Sequence, residues 1–354
     1  MTQPIKGRGA LSNPEGRFAA SVREYDEADT HADSRVTELR PETARRIISR
    51  NSSPDVPFEQ SINPYRGCEH GCVYCYARPS HAYLDLSPGL DFETRLTWKS
   101  NAAEALEREL RHPAYRCRPI TLGANTDPYQ PVERRLGVTR SLLEVMRRFG
   151  QPVTIITKSA LVTRDLDILG ALASEGLVRV VISLTTLDPE LKRTLEPRAA
   201  SPRARLRALA ELRGAGIPAG VLTAPVIPAV NDHEIEAMLA AAAAAGADSA
   251  GYVLLRLPWE VKGLFREWLE THMPLRAEHV MSLVRQMRDG RENDPRFGSR
   301  MRGRGQFADL LAARFGNACR RHGLGKGRSE AGLRTDRFRV PPAAGDQLSL
   351  LDES

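Results

Sequence analysis

The chain has 354 residues, 41% of them hydrophobic, and carries 51 Lys and Arg against 44 Asp and Glu, a net charge of +7. That length suits one large α/β domain with extensions, or two domains, and the apolar share is modest but enough for a core. Five cysteines, an odd number with three of them clustered, argue against a disulfide framework, and neither an apolar leader nor a membrane-length apolar run stands in the chain; a soluble, cytoplasmic, monomeric protein is expected.

Residues 1–50 are rich in Arg, Glu, Gly and Pro and lack sustained periodicity, so they read as a partly irregular N-terminal arm. Draping over the main domain is expected for Gly7-Arg8-Gly9-Ala10 and for Arg17-Phe18. A core over 51–259 begins with a short strand at 58–65. Residues 78–91 are broken by Pro79, Pro88 and Gly89 and read as irregular. A helix over 100–111 has Asn101 and Glu104 at capping-box spacing and stops before Pro113. Strands at 120–124, 153–157, 178–184, 219–223 and 250–257 alternate with helices at 139–149, 164–174, 201–213 and one that Asn231 caps with Glu234.

Six strands alternating with helices, most of them apolar runs, imply a parallel sheet buried on both faces. In such folds function gathers at the carboxyl ends of the strands. Residues 260–322 read as a helical C-terminal extension: helices at 260–273 and 277–287, a turn at 293–298, and an amphipathic helix at 306–322 using Phe307, Leu310, Leu311 and Phe315. Residues 323–354 read as a basic, mobile tail with a small apolar patch at 348–351. The block that opens at Arg285 and closes at Arg339 holds 15 Lys and Arg against 6 Asp and Glu. It is either a nucleic-acid or other polyanion surface or simply an arginine-rich solvated face.

The chemistry-bearing stretch follows the first strand: Asn63-Pro64-Tyr65-Arg66-Gly67-Cys68-Glu69-His70-Gly71-Cys72-Val73-Tyr74-Cys75-Tyr76-Ala77. Cys68, Cys72 and Cys75 are spaced C-x3-C-x2-C, and three soft thiolates so close together can converge on one inorganic centre. Two occupants fit. A [4Fe–4S] cube usually takes four cysteines, so three would leave one iron open. A structural zinc would recruit a fourth ligand from His70, His81, Cys117 or Cys319, although zinc sites normally show paired knuckles and no second pair exists here.

This loop resembles the cluster motif of the radical S-adenosylmethionine (radical SAM) superfamily, C-x3-C-x-Φ-C, with Tyr74 in the aromatic place. The resemblance implies a (β/α)6 partial TIM-type barrel with the [4Fe–4S] cluster after the first strand. It further implies that SAM chelates the open iron and is cleaved reductively to methionine and a 5′-deoxyadenosyl radical, which abstracts hydrogen from a substrate. An external electron donor of the flavodoxin or ferredoxin type follows from that chemistry. The readings set against it are a zinc-stabilised nucleic-acid-binding protein without SAM cleavage, and a cluster used only for redox or structure.

Other strand ends carry polar residues that suit such a cofactor: Asn125, Thr126 and Asp127 after the second, Lys158 and Ser159 after the third, and Ser183, Thr185 and Thr186 on or after the fourth. A lysine ammonium suits a carboxylate as a point charge, and hydroxyls or amides suit ribose. Likeness to spore photoproduct lyase and its relatives implies SAM contacts at Thr126, Lys158 and Ser183, with Asn125 adjacent. Together with the Gly7–Ala10 stretch and Ser61-Ile62-Asn63-Pro64-Tyr65-Arg66-Gly67-Cys68-Glu69-His70-Gly71-Cys72, the motifs Ala77-Arg78-Pro79-Ser80-His81-Ala82-Tyr83 and Asn293-Asp294-Pro295-Arg296-Phe297-Gly298-Ser299-Arg300-Met301-Arg302-Gly303 resemble the PA-type, Rv2578c-like bacterial subfamily, which supplies no substrate. The lyase's hydrogen-donating cysteine after strand two has no counterpart in Gly123–Thr126. Cys117 lies at the opposite end of that strand, leaving Tyr76 or Tyr129 as a conceivable radical relay.

Overall fold

Apolar runs of β-branched residues form the middle of one sheet. The computed structural model describes residues 4–18, 36–326 and 332–342. Strands β1 (Gln60–Ile62), β2 (Ile120–Leu122), β3 (Val153–Thr157), β4 (Val178–Ser183), β5 (Ala219–Val226) and β6 (Ser249–Leu254) lie side by side in chain order and run parallel. Nearly all their side chains are buried, as expected when both faces are covered. Helices Ala102–Leu110, Val138–Phe149, Leu166–Ser174, Pro202–Gly214 and Ile235–Ala244 fall between successive strands. Leu106, Leu142, Leu169, Leu209 and Leu239 of these helices join Ile155, Val180 and Val221 of the sheet in one apolar cluster. The chain is thus an α/β fold with a mostly parallel sheet, consistent with a partial barrel.

Two short strands extend the sheet, Ser49–Arg50 antiparallel to β1 and Gly325–Lys326 parallel to β6. A second, three-stranded sheet escaped the sequence reading. Glu38–Glu42 pairs in parallel with Arg95–Lys99, whose other edge takes Tyr65–Arg66. The expected strand over 58–65 therefore divides, its first half entering the main sheet and its last residues the small one. The break falls at Asn63-Pro64, where proline has no N–H to donate and its carbonyl accepts from Lys99 N at 3.0 Å.

Both capping asparagines are used elsewhere. The Asn101 side chain accepts from Ala44 N at 2.8 Å and donates to Ala44 O at 3.0 Å, fastening the N-terminal region to the core. Asn231, fully buried, accepts from Ile227 N and donates to Thr185 O and Pro225 O at 2.6–3.0 Å. It ties the chain leaving β5 to the chain leaving β4, and Glu234 accepts from Thr186 and Leu187 instead of closing a capping box.

Helices Val261–His272 and Ala277–Gln286 bury Phe265, Trp268, Val280 and Val284 in a cluster shared with Cys72, Val73 and Tyr74, so the C-terminal extension supports the cysteine loop. The described part of the expected mobile tail is packed: Arg334 N donates to Gly176 O, Arg339 N to Phe149 O, and the Phe338 ring meets Tyr115 and Phe149. The apolar patch at 348–351 lies outside the described residues. Among the described residues no helix is long and apolar enough to cross a membrane.

Replacing Asn231 with Ala strands Ile227 N, Thr185 O and Pro225 O in the core. Each orphaned buried group costs about 1–3 kcal/mol. Urea unfolding should show a loss in that range or above; a change under about 0.5 kcal/mol, the level of an ordinary surface substitution, would contradict the role assigned to this side chain.

Candidate active site

The cysteine loop leaves β1, crosses the small sheet and turns at Gly67 (φ 78°) and Gly71 (φ 68°), conformations that glycine adopts without strain. Cys68 and Cys72 are buried and Cys75 is partly exposed. The three thiols are close enough to act on one another electrostatically, and burial pushes all three above the ordinary thiol value. Desolvated thiols hold their protons until a metal displaces them.

A buried ion pair clamps the loop from behind. Arg78 and Glu93 are both fully inaccessible. The Arg78 guanidinium donates to Glu93 and to the carbonyls of Cys72, Pro88 and Gly89. Glu93 also accepts from Gly9 N at 3.0 Å and Ala10 N at 2.8 Å, and Arg8 donates to the Glu93 carbonyl at 3.1 Å. The Gly7–Ala10 motif is therefore part of the loop's support. Gly9 sits so close to the Gly71 carbonyl that any Cβ would overlap it.

A cavity of about 450 Å³ opens in front of the loop. It is lined by Cys68, Cys72, Tyr74 and Cys75 on one side and by Asn125, Lys158 and Ser183 from the carboxyl ends of β2, β3 and β4. Lys158 Nζ donates to Ser183 Oγ at 3.0 Å and stands 4.0 Å from Glu196. Glu196 is fully buried, paired with the equally buried Arg205, and accepts from the Tyr74 phenol and from Thr185 at 2.6 Å. Burial would raise its pKa, but Arg205, Lys158 and the two hydroxyls hold it down at about 2. Asp127 behaves alike: burial opposes its charge, yet His70, the Lys158 amide and the Thr157 hydroxyl keep its pKa at about 2. His70 Nδ1 lies 3.3 Å from Asp127, and His70 too lines the cavity.

Of the residues named from sequence, the three cysteines, Tyr74, Asn125, Asp127, Lys158 and Ser183 thus meet at one cavity. Ser159, Thr185 and Thr186 are not part of its lining, and neither is Thr126. It is buried, its hydroxyl donates to the Tyr65 carbonyl at 2.8 Å, and it is not part of the lining, so it holds the loop rather than a ligand. Tyr129 is buried against Asp165, away from the lining. Tyr76 does line the cavity, its ring partly exposed and its hydroxyl on Ala124 O. Glu196, Arg205 and Glu93 were not legible as site residues, because isolated charges on helix-like segments read as solvated until folding sets them against partners.

Of the four side chains named as a fourth zinc ligand, His70 alone lines the cavity with the three cysteines. His81 is bonded to Arg95 O and packed on Phe92, Cys117 faces Gln151, and Cys319 packs on the main core.

A sequence profile described as the Radical SAM superfamily matches residues 62–242, half of the chain, beginning in β1 and including all three cysteines. The chain belongs to the radical SAM superfamily. It is an enzyme of that class, whose chemistry depends on SAM and an iron–sulfur cluster. It is similar to the uncharacterized protein Rv2578c of Mycobacterium tuberculosis, 39% identical over 232 residues that cover 65% of this chain and 68% of the relative. The uncharacterized protein MJ0683 of Methanocaldococcus jannaschii is 28% identical over 192 residues, 54% of this chain and 68% of that one. Among solved structures, spore photoproduct lyase complexed with dinucleoside spore photoproduct superposes with a TM-score of 0.60 over 88% of this chain and 87% of the lyase. Its 17% identity makes that a likeness of fold.

In this radical SAM enzyme, Gly9→Ala should push the Gly71 carbonyl out of place and lower iron incorporation on anaerobic reconstitution. Gly263→Ala, at a position where a Cβ meets nothing, is the matched control. Iron content of Gly9→Ala equal to that of the control would show that the arm does not shape the loop.

Proposed function

We propose that Cys68, Cys72 and Cys75 hold a [4Fe–4S] cluster whose fourth iron takes SAM, and that the enzyme starts radical chemistry on a substrate admitted to the same cavity. The observation that carries this is the meeting of the three thiols with Lys158, Ser183 and Asn125 around one space. No other cysteine belongs to that lining. When bound, the cluster and SAM supply a carbon-centred radical that takes hydrogen from the substrate.

The chain's own residues bind and orient. Lys158 presents its ammonium to the SAM carboxylate, and Ser183 and Asn125 offer hydrogen bonds to its polar groups. Glu196, held ionised by Arg205, keeps Lys158 in place and fixes the Tyr74 phenol beside the cysteines. Asp127 binds the Lys158 amide at 2.7 Å and so joins the loops after β2 and β3. Leu222, Ala224 and Pro225 of β5 give the cavity an apolar side for adenine. We assign residues 51–259 to a (β/α)6 core, 1–50 to the arm and 260–322 to the helical support. The electron donor in this reading is an external flavodoxin- or ferredoxin-type protein.

Among the described residues of the basic block, several arginines are already engaged. Arg285, Arg296, Arg300 and Arg314 are paired with carboxylates, and Arg288 is buried on backbone carbonyls. A nucleic-acid substrate, if used, is better sought at the cavity than along 285–339.

Anaerobic reconstitution should give about four iron per chain, the [4Fe–4S] stoichiometry, and 5′-deoxyadenosine on dithionite reduction. Cys72→Ala should lose both, while Cys117→Ala and Cys319→Ala keep both. A colourless protein with one zinc per chain and no 5′-deoxyadenosine would overturn the assignment. Lys158→Ala should retain iron and weaken SAM binding about tenfold or more, the worth of a charge-assisted contact; unchanged affinity by calorimetry removes Lys158 from the SAM site.

A further inference from the structure

Three guanidinium groups line the cavity: Arg179, Arg256 and Arg300. Two are already neutralised. Arg179 is paired with Asp248, and Arg300 with Asp55, which also accepts from Gly298 N at 2.6 Å. Arg256 has no carboxylate within ion-pair distance among the described residues. Its Nε is buried without a hydrogen-bond partner, and its side-chain contacts are weak ones: the Met301 sulfur at 3.8 Å and the Tyr76 ring at 5.4 Å. Burial pushes its pKa down, Tyr76 and the more distant Asp55 oppose that, and the neighbouring Arg300 adds to it, but arginine remains charged. An unpaired cation half removed from water is costly unless something anionic completes it.

The surroundings are built to hold this side chain in place. Arg256 follows β6, at the carboxyl end of the strand where α/β enzymes place their chemistry. Fully buried Arg288 donates to Leu255 O at 2.7 Å and to the carbonyls of Ser299 and Arg300 at 2.9 Å. It thereby locks the strand end to the short helix Ser299–Arg302. Asp294 receives the Ser299 hydroxyl and the Arg296 amide, shaping the turn before that helix. Gly303, at φ 73°, passes so near Leu254 that a side chain would press into it. The Asn293–Gly303 motif thus forms the wall beside Arg256, a use that cluster and SAM binding leave unexplained.

We propose that Arg256 is the anion-recognition residue of the substrate subsite, receiving a phosphate or carboxylate of the substrate beside Tyr76. The proposal rests on the reading of the cavity as a shared SAM and substrate chamber. A planar guanidinium suits either oxyanion through two parallel hydrogen bonds, and a site screened from bulk water strengthens them. The Tyr76 ring, part of the cysteine loop and 5.4 Å from the Arg256 guanidinium, supplies an apolar face on which the rest of the substrate packs.

The test uses the reconstituted, SAM-loaded full chain and two small probes, methyl phosphate and acetate, observed by saturation-transfer NMR through their methyl groups. Wild type should give saturable transfer to at least one probe. Arg256→Gln should bind it roughly ten- to a hundredfold more weakly, the worth of a charge-assisted pair, with SAM affinity unchanged by calorimetry. Arg256→Lys, which keeps the charge but not the fork, should fall between the two. Preference for methyl phosphate identifies a phosphorylated substrate, and preference for acetate a carboxylate. Absence of saturable transfer to either probe in wild type, or equal binding by Arg256→Gln, overturns the proposal. Arginine-dependent probe binding in a protein that fails to bind SAM would keep the subsite and sink the SAM reading instead.

Discussion

A buried carboxylate behind the cysteine loop is the constraint on which the site depends. Glu93 cannot lie in the interior alone, since an unpaired charge there would be strongly unfavourable. It is satisfied from three directions by Arg78 and by the amides of Gly9 and Ala10. Arg78 in turn spends its remaining donors on loop carbonyls. Removing Arg78 or Glu93 leaves the other charge buried without its counter-ion, so the arm and the cysteine loop depend on one pair.

A second buried pair, Glu196 with Arg205, does the same on the ligand side. It sits under Tyr74 and next to Lys158, so the aromatic of the cysteine motif and the lysine proposed for SAM share one anchor. This explains how a partly open cavity can keep a flexible lysine aimed inward. Its ammonium has a hydroxyl at 3.0 Å and a carboxylate at the edge of reach. The arrangement leaves capacity for a ligand without leaving the charge adrift.

The cavity draws its polar groups from both halves of the chain. Thiols, a lysine, hydroxyls and Arg179 come from β1 to β4 and the loops after them, and Arg256 and Arg300 come from the chain after β6. The C-terminal extension also buries Trp268 and Phe265 in a cluster shared with Cys72, Val73 and Tyr74 of the cysteine loop.

The alternation of apolar runs with helix-forming stretches was enough to specify the parallel sheet, because a strand buried on both faces must be apolar throughout. The cysteine spacing marked the candidate ligands of one centre for a similar reason, since such ligands must be close and here they are close in sequence, while the kind of centre was implied only by the motif's resemblance to a family. Other contacts depended on long-range pairing. Glu38–Glu42 is a strand only because Arg95–Lys99 lies beside it, and Asn101 and Asn231 abandon their local capping roles for tertiary partners. Thr126 sits at the right strand end yet turns its hydroxyl to Tyr65. Which charges are buried, which are matched, and that Arg256 lacks a carboxylate partner among the described residues, were decided by the tertiary structure, since a charge's partner is fixed by distance in space and not by position along the chain.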